Sequence, residues 1–545
     1  MKRFPAVWVG LLAAAALLAL SHAAVAEDAG QEDLDAATAK KIEARSIGDL
    51  EEVIQLCESA IKKGLDEGGA EFARQLLSST LVQRGTMLTA PIFDQARPSP
   101  QWQQLRQLAL QDLNKALEID PKLGEAHLTI AKLQALPRGD LDKAREAIDK
   151  AVEAFAENAK QKSAALTLRA QMQEDPAKRM EDLDAAVETF AGNSEALRLR
   201  GVLHIQSGDN EKGLADLQSV IEANPEDVGA HRAASEALLS MGKSDEALAM
   251  LDKAIELDEQ GAAGYILRAR LHAQQDHPDK AEEDLNAAIK REPRSLPALL
   301  MRAELRILAE KFELAEGDIN RVLELQPSMP HAILLKAGVL GAQEKYAAAI
   351  RELELLLSLD KDNVEVRMQI ATFYVADKRP SKAIEVFTAV LKDSPDYWQA
   401  LRGRADAQLS LGKQGPAIKD YEAALKLKED SDGILNNLAW VLSTSPNDKL
   451  RDGKRAVELA TKACELTEFK AAHILSTLAS AYAESGDFEK AREWSAKSVE
   501  IAEPDQKEQL EAELKSYQES KPWREKQEVQ EKPEPERPRE SDLEL

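Results

Sequence analysis

Apolar residues recur along most of the chain with a helical period, in short runs that come in pairs and are evenly spaced. From Val364 to Tyr397, Ile370, Ala371 and Tyr374 share one face, a polar turn occupies Asp377 to Pro380, and Ala383, Ile384, Phe387 and Val390 resume the period. The pattern predicts helix, turn, helix, with Pro395 stopping the second helix because its ring nitrogen has no N–H to donate. Pro225, Pro293, Pro327 and Pro395 lie 68, 34 and 68 residues apart, so the repeating unit is 34 residues. A small residue stands twelve before each proline or its equivalent: Gly213, Ala247, Ala281, Ala315, Ala349, Ala383 and Ala417, each 34 apart. Small side chains there let the two helices approach closely. Gly208, Gly242, Gly412 and Gly486 follow the first helices, where a left-handed closing residue is expected.

This series of a small residue, an aromatic, Ala, an aromatic, a second small residue and Pro resembles the tetratricopeptide repeat (TPR) family, through Ala371, Tyr374, Ala383, Phe387, Val390 and Pro395. Leu475, Leu478, Ala479, Tyr482, Gly486 and Ala491 repeat the likeness between His473 and Pro504. The resemblance implies an all-α, right-handed α-solenoid of about twelve helix-turn-helix units between roughly Ile47 and Pro504. Two units depart from the pattern. One has extra residues between its helices, Thr89 to Gln101 with three prolines, and one carries a loop from Ser443 to Asp452. The latter, with Asn436-Asn437-Leu438-Ala439-Trp440 before its loop, is similar to a variant repeat of secreted bacterial TPR proteins.

Comparing the units with one another exposes a charge pattern. Arg200 with Asp216, Arg268 with Asp284, Arg302 with Asp318, Lys336 with Glu352 and Arg404 with Asp420 are always 16 apart, base on the first helix and acid on the second. Arg84 with Asp112 and Arg169 with Asp182 join them once an insertion and a deletion are allowed. The other units have neither member, as in Ile370/Val386, Leu438/Leu459 and Leu478/Trp494. An ion pair between the helices of a unit is expected, the guanidinium fork suiting a carboxylate. These bases are then packing devices and do not form a ligand-binding stripe.

The resemblance also implies that first helices face a concave channel. The positions left to line it include Arg198, Arg232, Arg270, Arg402, Asn436 and Trp440, interleaved with Glu195, Glu236, Glu304, Glu365 and Asp406. Such a mixed, polar lining suits an extended segment or a helix of a partner. The family's carboxylate-clamp pattern is not matched, and Asn437 stands alone where an asparagine ladder would be.

Lys2 and Arg3, an apolar run from about Val7 to Leu20 and Ala24-Val25-Ala26 before Glu27 read as a signal peptide, 1–26, cut after Ala26. A periplasmic or secreted protein with no membrane span after cleavage follows, the alternative being an uncleaved N-terminal anchor. Residues 27–46 read as a linker that becomes helical near Leu34, 47–505 as the array, 506–520 as a capping helix and 521–545, with dense charge and four prolines, as a disordered tail. Trp523 is the tail's large apolar anchor, expected to dock on the cap.

Composition narrows the function. The 545 residues are 44% hydrophobic and 31% charged, and the formal net charge of -25 disfavours nucleic acid and anionic lipid as partners. Cys57 and Cys464 are far apart in sequence and lack a ligand pattern, so neither a disulfide framework nor a zinc site is expected. No phosphate loop, nucleophile elbow or paired-histidine metal motif occurs, and His204 and His272 replace the repeat's aromatic. No catalytic residue, cofactor or metal is therefore assigned. The expected function is an extracytoplasmic scaffold for protein or peptide partners; the alternative is an accessory subunit of an envelope enzyme or a glycosyltransferase-like protein.

Overall fold

The computed structural model describes residues 30–93, 101–525, 529 and 531–532. The signal-peptide segment 1–26 lies outside them. Among the described residues there are 27 α-helices, one 3-10 turn and no strand, which is the α-solenoid class of stacked helix hairpins. The chain divides into two compact halves, Met1–Leu271 and His272–Leu545, with helix Ala263–Gln274 running through the division. Six complete hairpins lie in each half. The first half runs from Gln31–Glu43 with Ile47–Lys63 to Val228–Ser240 with Ser244–Leu257. The second begins with Pro278–Arg291 and runs from Leu296–Leu308 with Phe312–Leu325 to Ala472–Glu484 with Phe488–Ile501, then the cap Lys507–Gln518.

Local chemistry sets the helix ends. Asn193, Asp227 and Asn363 each accept the backbone N–H three residues on, satisfying a donor that the first turn leaves free. Pro278 and Pro380 open second helices, where a missing N–H costs nothing. Many of the turns inside hairpins are closed by one left-handed residue. Gly208, Gly242 and Gly412 have φ of 86, 74 and 69°, and Glu310, Glu344 and Lys378 adopt 55, 59 and 57° at the same place in their hairpins. The following N–H reaches back to the last turn of the first helix, as in Lys243 to Leu238 O at 2.8 Å and Lys345 to Leu340 O at 2.8 Å.

Packing follows the small residues. Ala247, Ala315, Ala349, Ala383 and Ala417 are fully buried. At Gly213 even a methyl is too large, because a Cβ would lie 2.7 Å from Gly201 O on the facing helix. Coupling between hairpins is as close: Phe387 is 2% exposed, and a Cβ on Gly403 of the next hairpin would stand 2.5 Å from its ring. Burying such a ring contributes about 1.5–3 kcal/mol, available only when the neighbouring hairpin is folded.

Three segments refine the sequence expectation. The linker 27–46 contains helix Gln31–Glu43, whose Leu34 and Ala37 are buried against the next helix, so the first hairpin begins before Ile47 and takes Ile47–Lys63 as its second helix. Helix Glu67–Phe93 runs through Thr89 and Pro91 into the expected insertion, because Thr89 and Ile92 find buried positions. The described part of the tail is seated. Trp523 packs beside Tyr517, Tyr482 and Phe488, and Arg524 donates to Glu484 at 2.5 Å and to Ser443 O at 3.1 Å. An aromatic anchor and an ion pair hold a segment whose composition alone favours disorder.

Candidate partner-binding site

The charged positions between helices and those on the first-helix face separate into two sets. In the first set, Arg84, Arg200, Arg302 and Arg404 grip Asp112, Asp216, Asp318 and Asp420 with two nitrogens each, at 2.5–2.8 Å. Arg169 places two nitrogens on one oxygen of Asp182 at 3.0 and 2.5 Å, and Lys336 lies 2.8 Å from Glu352. All five of these aspartates are buried, and Asp284 with them. The hydrogen bond to Asp216 holds the Arg200 guanidinium above its ordinary pKa, as that to Asp182 does for Arg169. Arg268 and Asp284 lie on either side of the division between halves; Arg268 donates to Asp252 at 2.6 Å, and His272 Nε2 is 3.9 Å from Asp284.

Sequence reasoning missed where the remaining nitrogen goes. Arg200, Arg268, Arg302 and Arg404 turn it back to the second helix of the preceding hairpin, to Asp184, Asp252, Asn286 and Thr388. Each of those acceptors is 16 residues before its arginine, so one guanidinium of Arg200, Arg302 or Arg404 pins three helices. The acceptors differ in type, and only the spacing could have shown them.

The second set is the candidate site, and its six residues divide between the two halves. Arg198, Arg232 and Arg270 belong to the first half. Arg198 donates to its own helix neighbour Glu195 at 2.6 Å, Arg232 is half-buried and Arg270 exposed. In the second half a continuous network joins two hairpins. Arg402 Nε is 3.8 Å from Asp406, whose other oxygen accepts from the buried Tyr421 hydroxyl and from Asn437 Nδ2 at 3.1 Å. Asn437 in turn accepts from Asn436 Nδ2 at 3.2 Å. Burial, with Asp406 beside it, pushes the Tyr421 hydroxyl well above its usual pKa, so Tyr421 stays a donor.

One turn further, Trp440 donates from Nε1 to Glu525 at 3.1 Å, bringing the tail onto this face. Helices Asp432–Thr444 and Ala472–Glu484, the cap and Glu525 enclose a pocket of about 400 Å³. The cap contributes Glu513, fully buried, accepting from Ser476 at 2.5 Å and Gln509 at 3.0 Å. Burial raises its carboxyl above the ordinary 4.5, with the charge of Glu525 adding to the effect. Composition marks the cap as a polar helix, and nothing in that reading distinguishes Glu513 from its exposed neighbours.

Both cysteines and two of the histidines are buried. Cys57 and Cys464 are buried, which pushes their thiols up to about 11 and about 12. His127 and His231 are buried with Nε2 2.9 Å from the carbonyls of Pro121 and Pro225, six residues back. Among the described residues no group of three or more His, Cys, Asp or Glu is placed to hold a metal ion, and no helix is long and apolar enough to cross a membrane.

Known proteins share the repeat. Tetratricopeptide repeat profiles match residues 204–271 and 341–413, 266–330, and 472–505. No curated protein matches the sequence. Among solved structures, a tetratricopeptide repeat protein from Parabacteroides merdae is 20% identical, with 45% of this chain and 97% of that chain covered and a TM-score of 0.33. YrrB, described as a TPR protein with an unusual peptide-binding site, is 18% identical over 34% of this chain and 96% of its own, with a TM-score of 0.31. PilF of Pseudomonas aeruginosa is 17% identical over 39% and 97%, with a TM-score of 0.33. The matched profiles, the 34-residue period and the stacked helix hairpins make this chain a tetratricopeptide repeat protein.

Proposed function

We propose that the protein is an extracytoplasmic scaffold that holds protein or peptide partners on its first-helix face and catalyses no reaction itself. The observation that carries this reading is the polar strip from Arg402 through Asp406, Tyr421 and Asn437 to Asn436, ending beside Trp440. Its side chains are fixed to one another before any partner arrives, which lowers the entropic cost of binding. The net charge of -25 argues against polyanionic partners, and the basic residues of the ion pairs are already engaged. A signal peptide at residues 1–26 would direct the array out of the cytoplasm before its removal.

Crosslinking and affinity capture of the mature chain from the cell envelope test the scaffold. Charge reversal at Arg402, and in the other half at Arg198, Arg232 and Arg270, should remove partners from the captured set; an unchanged set sinks the assignment of this face. Address is read separately, from the N-terminus of the protein in the periplasmic or secreted fraction. Glu27 as the first residue supports cleavage, whereas intact Met1 in the membrane fraction favours the anchored alternative.

A further inference from the structure

The pocket under the cap has a one-sided polarity. Its wall carries the carboxyl groups of Asp505, Glu513 and Glu525 and no lysine or arginine, with His473 as its other titratable group. We propose that this pocket receives one lysine or arginine side chain from an extended segment of a partner protein, an inference that rests on the scaffold reading above.

Acidity alone would not make it a site, since Asp and Glu outnumber Lys and Arg by 96 to 71 along the chain. The independent observation is Asn436. It is a lining residue of the pocket and 8% exposed, its amide nitrogen is committed to Asn437, and its Oδ1 is buried with no donor. A buried carbonyl oxygen without a partner is a cost that an entering N–H removes. Glu513 has the same deficiency in another form. Its two donors, Ser476 and Gln509, are neutral, while Glu525 adds a like charge nearby. A cation placed among these groups supplies the opposite charge that the fold omits, whereas an anion would meet repulsion from every carboxylate in the wall.

Trp440 fits the same ligand. Its indole lines the pocket and is held by the bond from Nε1 to Glu525, leaving an aromatic ring beside the carboxylates. A ring face next to carboxylates favours ammonium or guanidinium groups on an apolar stem. The volume of about 400 Å³ accommodates one long side chain with some water and is too small for a helix.

The test uses the full-length chain and an array of dodecapeptides in a Gly/Ser background, with one central position varied through Lys, Arg, norleucine, Gln and Glu. Lys and Arg peptides should retain about tenfold more protein than norleucine, with Glu the weakest. That preference should fall about tenfold in Asp505→Asn/Glu525→Gln, whose changes sit at exposed or half-exposed positions, and in Asn436→Leu. Equal retention on Lys and norleucine peptides overturns the proposal, as does an unchanged Lys preference in the Asp505→Asn/Glu525→Gln variant. Free butylamine serves as competitor: displacement of the Lys peptide in large excess supports a side-chain site, and no displacement even in large excess overturns that assignment. Partners still captured from the envelope after the Lys preference has failed remove the pocket and leave the scaffold. If wild type captures none, the scaffold itself fails.

Discussion

Two carboxylates in the C-terminal half are buried at first-helix seams and kept there by different means. Asp420 is clasped by Arg404 through two nitrogens, with Gln408 as a further donor at 3.1 Å. Glu513 has only hydroxyl and amide donors, and its carboxyl is pushed up by burial. A carboxylate buried against a guanidinium is a structural pin whose charge is already answered. A carboxylate buried without one keeps an unmet demand for positive charge, and here it lines a pocket. Both acids are buried, Glu513 the more deeply, so the partner decides whether the acid serves the fold or is left for a ligand.

The largest expected effect comes from breaking the pin. Asp420→Ala strands Arg404 with Thr388 as its remaining side-chain acceptor and should cost about 3 kcal/mol, read as a lower urea midpoint and lost hydrogen-exchange protection in helix Gln414–Leu427. The double change Arg404→Leu/Asp420→Leu copies the next hairpin, where buried Leu438 and partly buried Leu459 occupy these places. It should lie within about 1 kcal/mol of wild type, since an apolar pair escapes the desolvation cost. A double variant as unstable as Asp420→Ala would show that the pair supplies more than charge balance.

Glu513 should behave in the opposite sense. Its folded-state pKa is raised above the ordinary 4.5, so the folded protein binds more protons than the unfolded chain between those two values. Cap stability should therefore be greatest below about 4.5, fall as pH rises through the folded pKa and level off above it. Glu513→Gln should flatten that profile and stay within about 1 kcal/mol of wild type at low pH. Tryptophan fluorescence follows cap docking, because Trp523 and Trp494 pack in the cluster with Tyr517 of the cap. An unaltered pH profile in Glu513→Gln would mean that another group causes it.

The smallest effect concerns the turns, where the backbone is alike and the residue differs. Gly412→Ala should cost about 1 kcal/mol, and Glu344→Gly should recover up to about 1 kcal/mol, because only glycine adopts φ near +60° without steric penalty. Thermal unfolding of the two variants checks the signs. Loss of stability in Glu344→Gly would show that the glutamate side chain or unfolded-chain entropy outweighs the strain.

The turns also show how far the sequence could be read. Gly208, Gly242 and Gly412 announce a left-handed residue, whereas Glu310, Glu344 and Lys378 hold the same conformation and only their place in the period points to it. The arginine-to-aspartate spacing was legible because both partners are charged and recur. The backward bonds were not, since Asp184, Asn286 and Thr388 share a position and no chemistry. Asp406 and Asn437 were each visible on a first helix, and nothing linear indicates that Tyr421 joins them.

The sequence by itself determined the repeat: its period, its hairpins, the small residues between helices and the charge pairs across them. These follow from contacts between residues a fixed distance apart, and a linear pattern records such contacts faithfully. Tertiary structure decided which polar groups were left over. Asn436 Oδ1 lacks a donor, Glu513 lacks a cation and Glu525 stands over Trp440 because the cap and tail fold back onto the last hairpins. Contacts of that kind have no period, and only the packed chain brings them together.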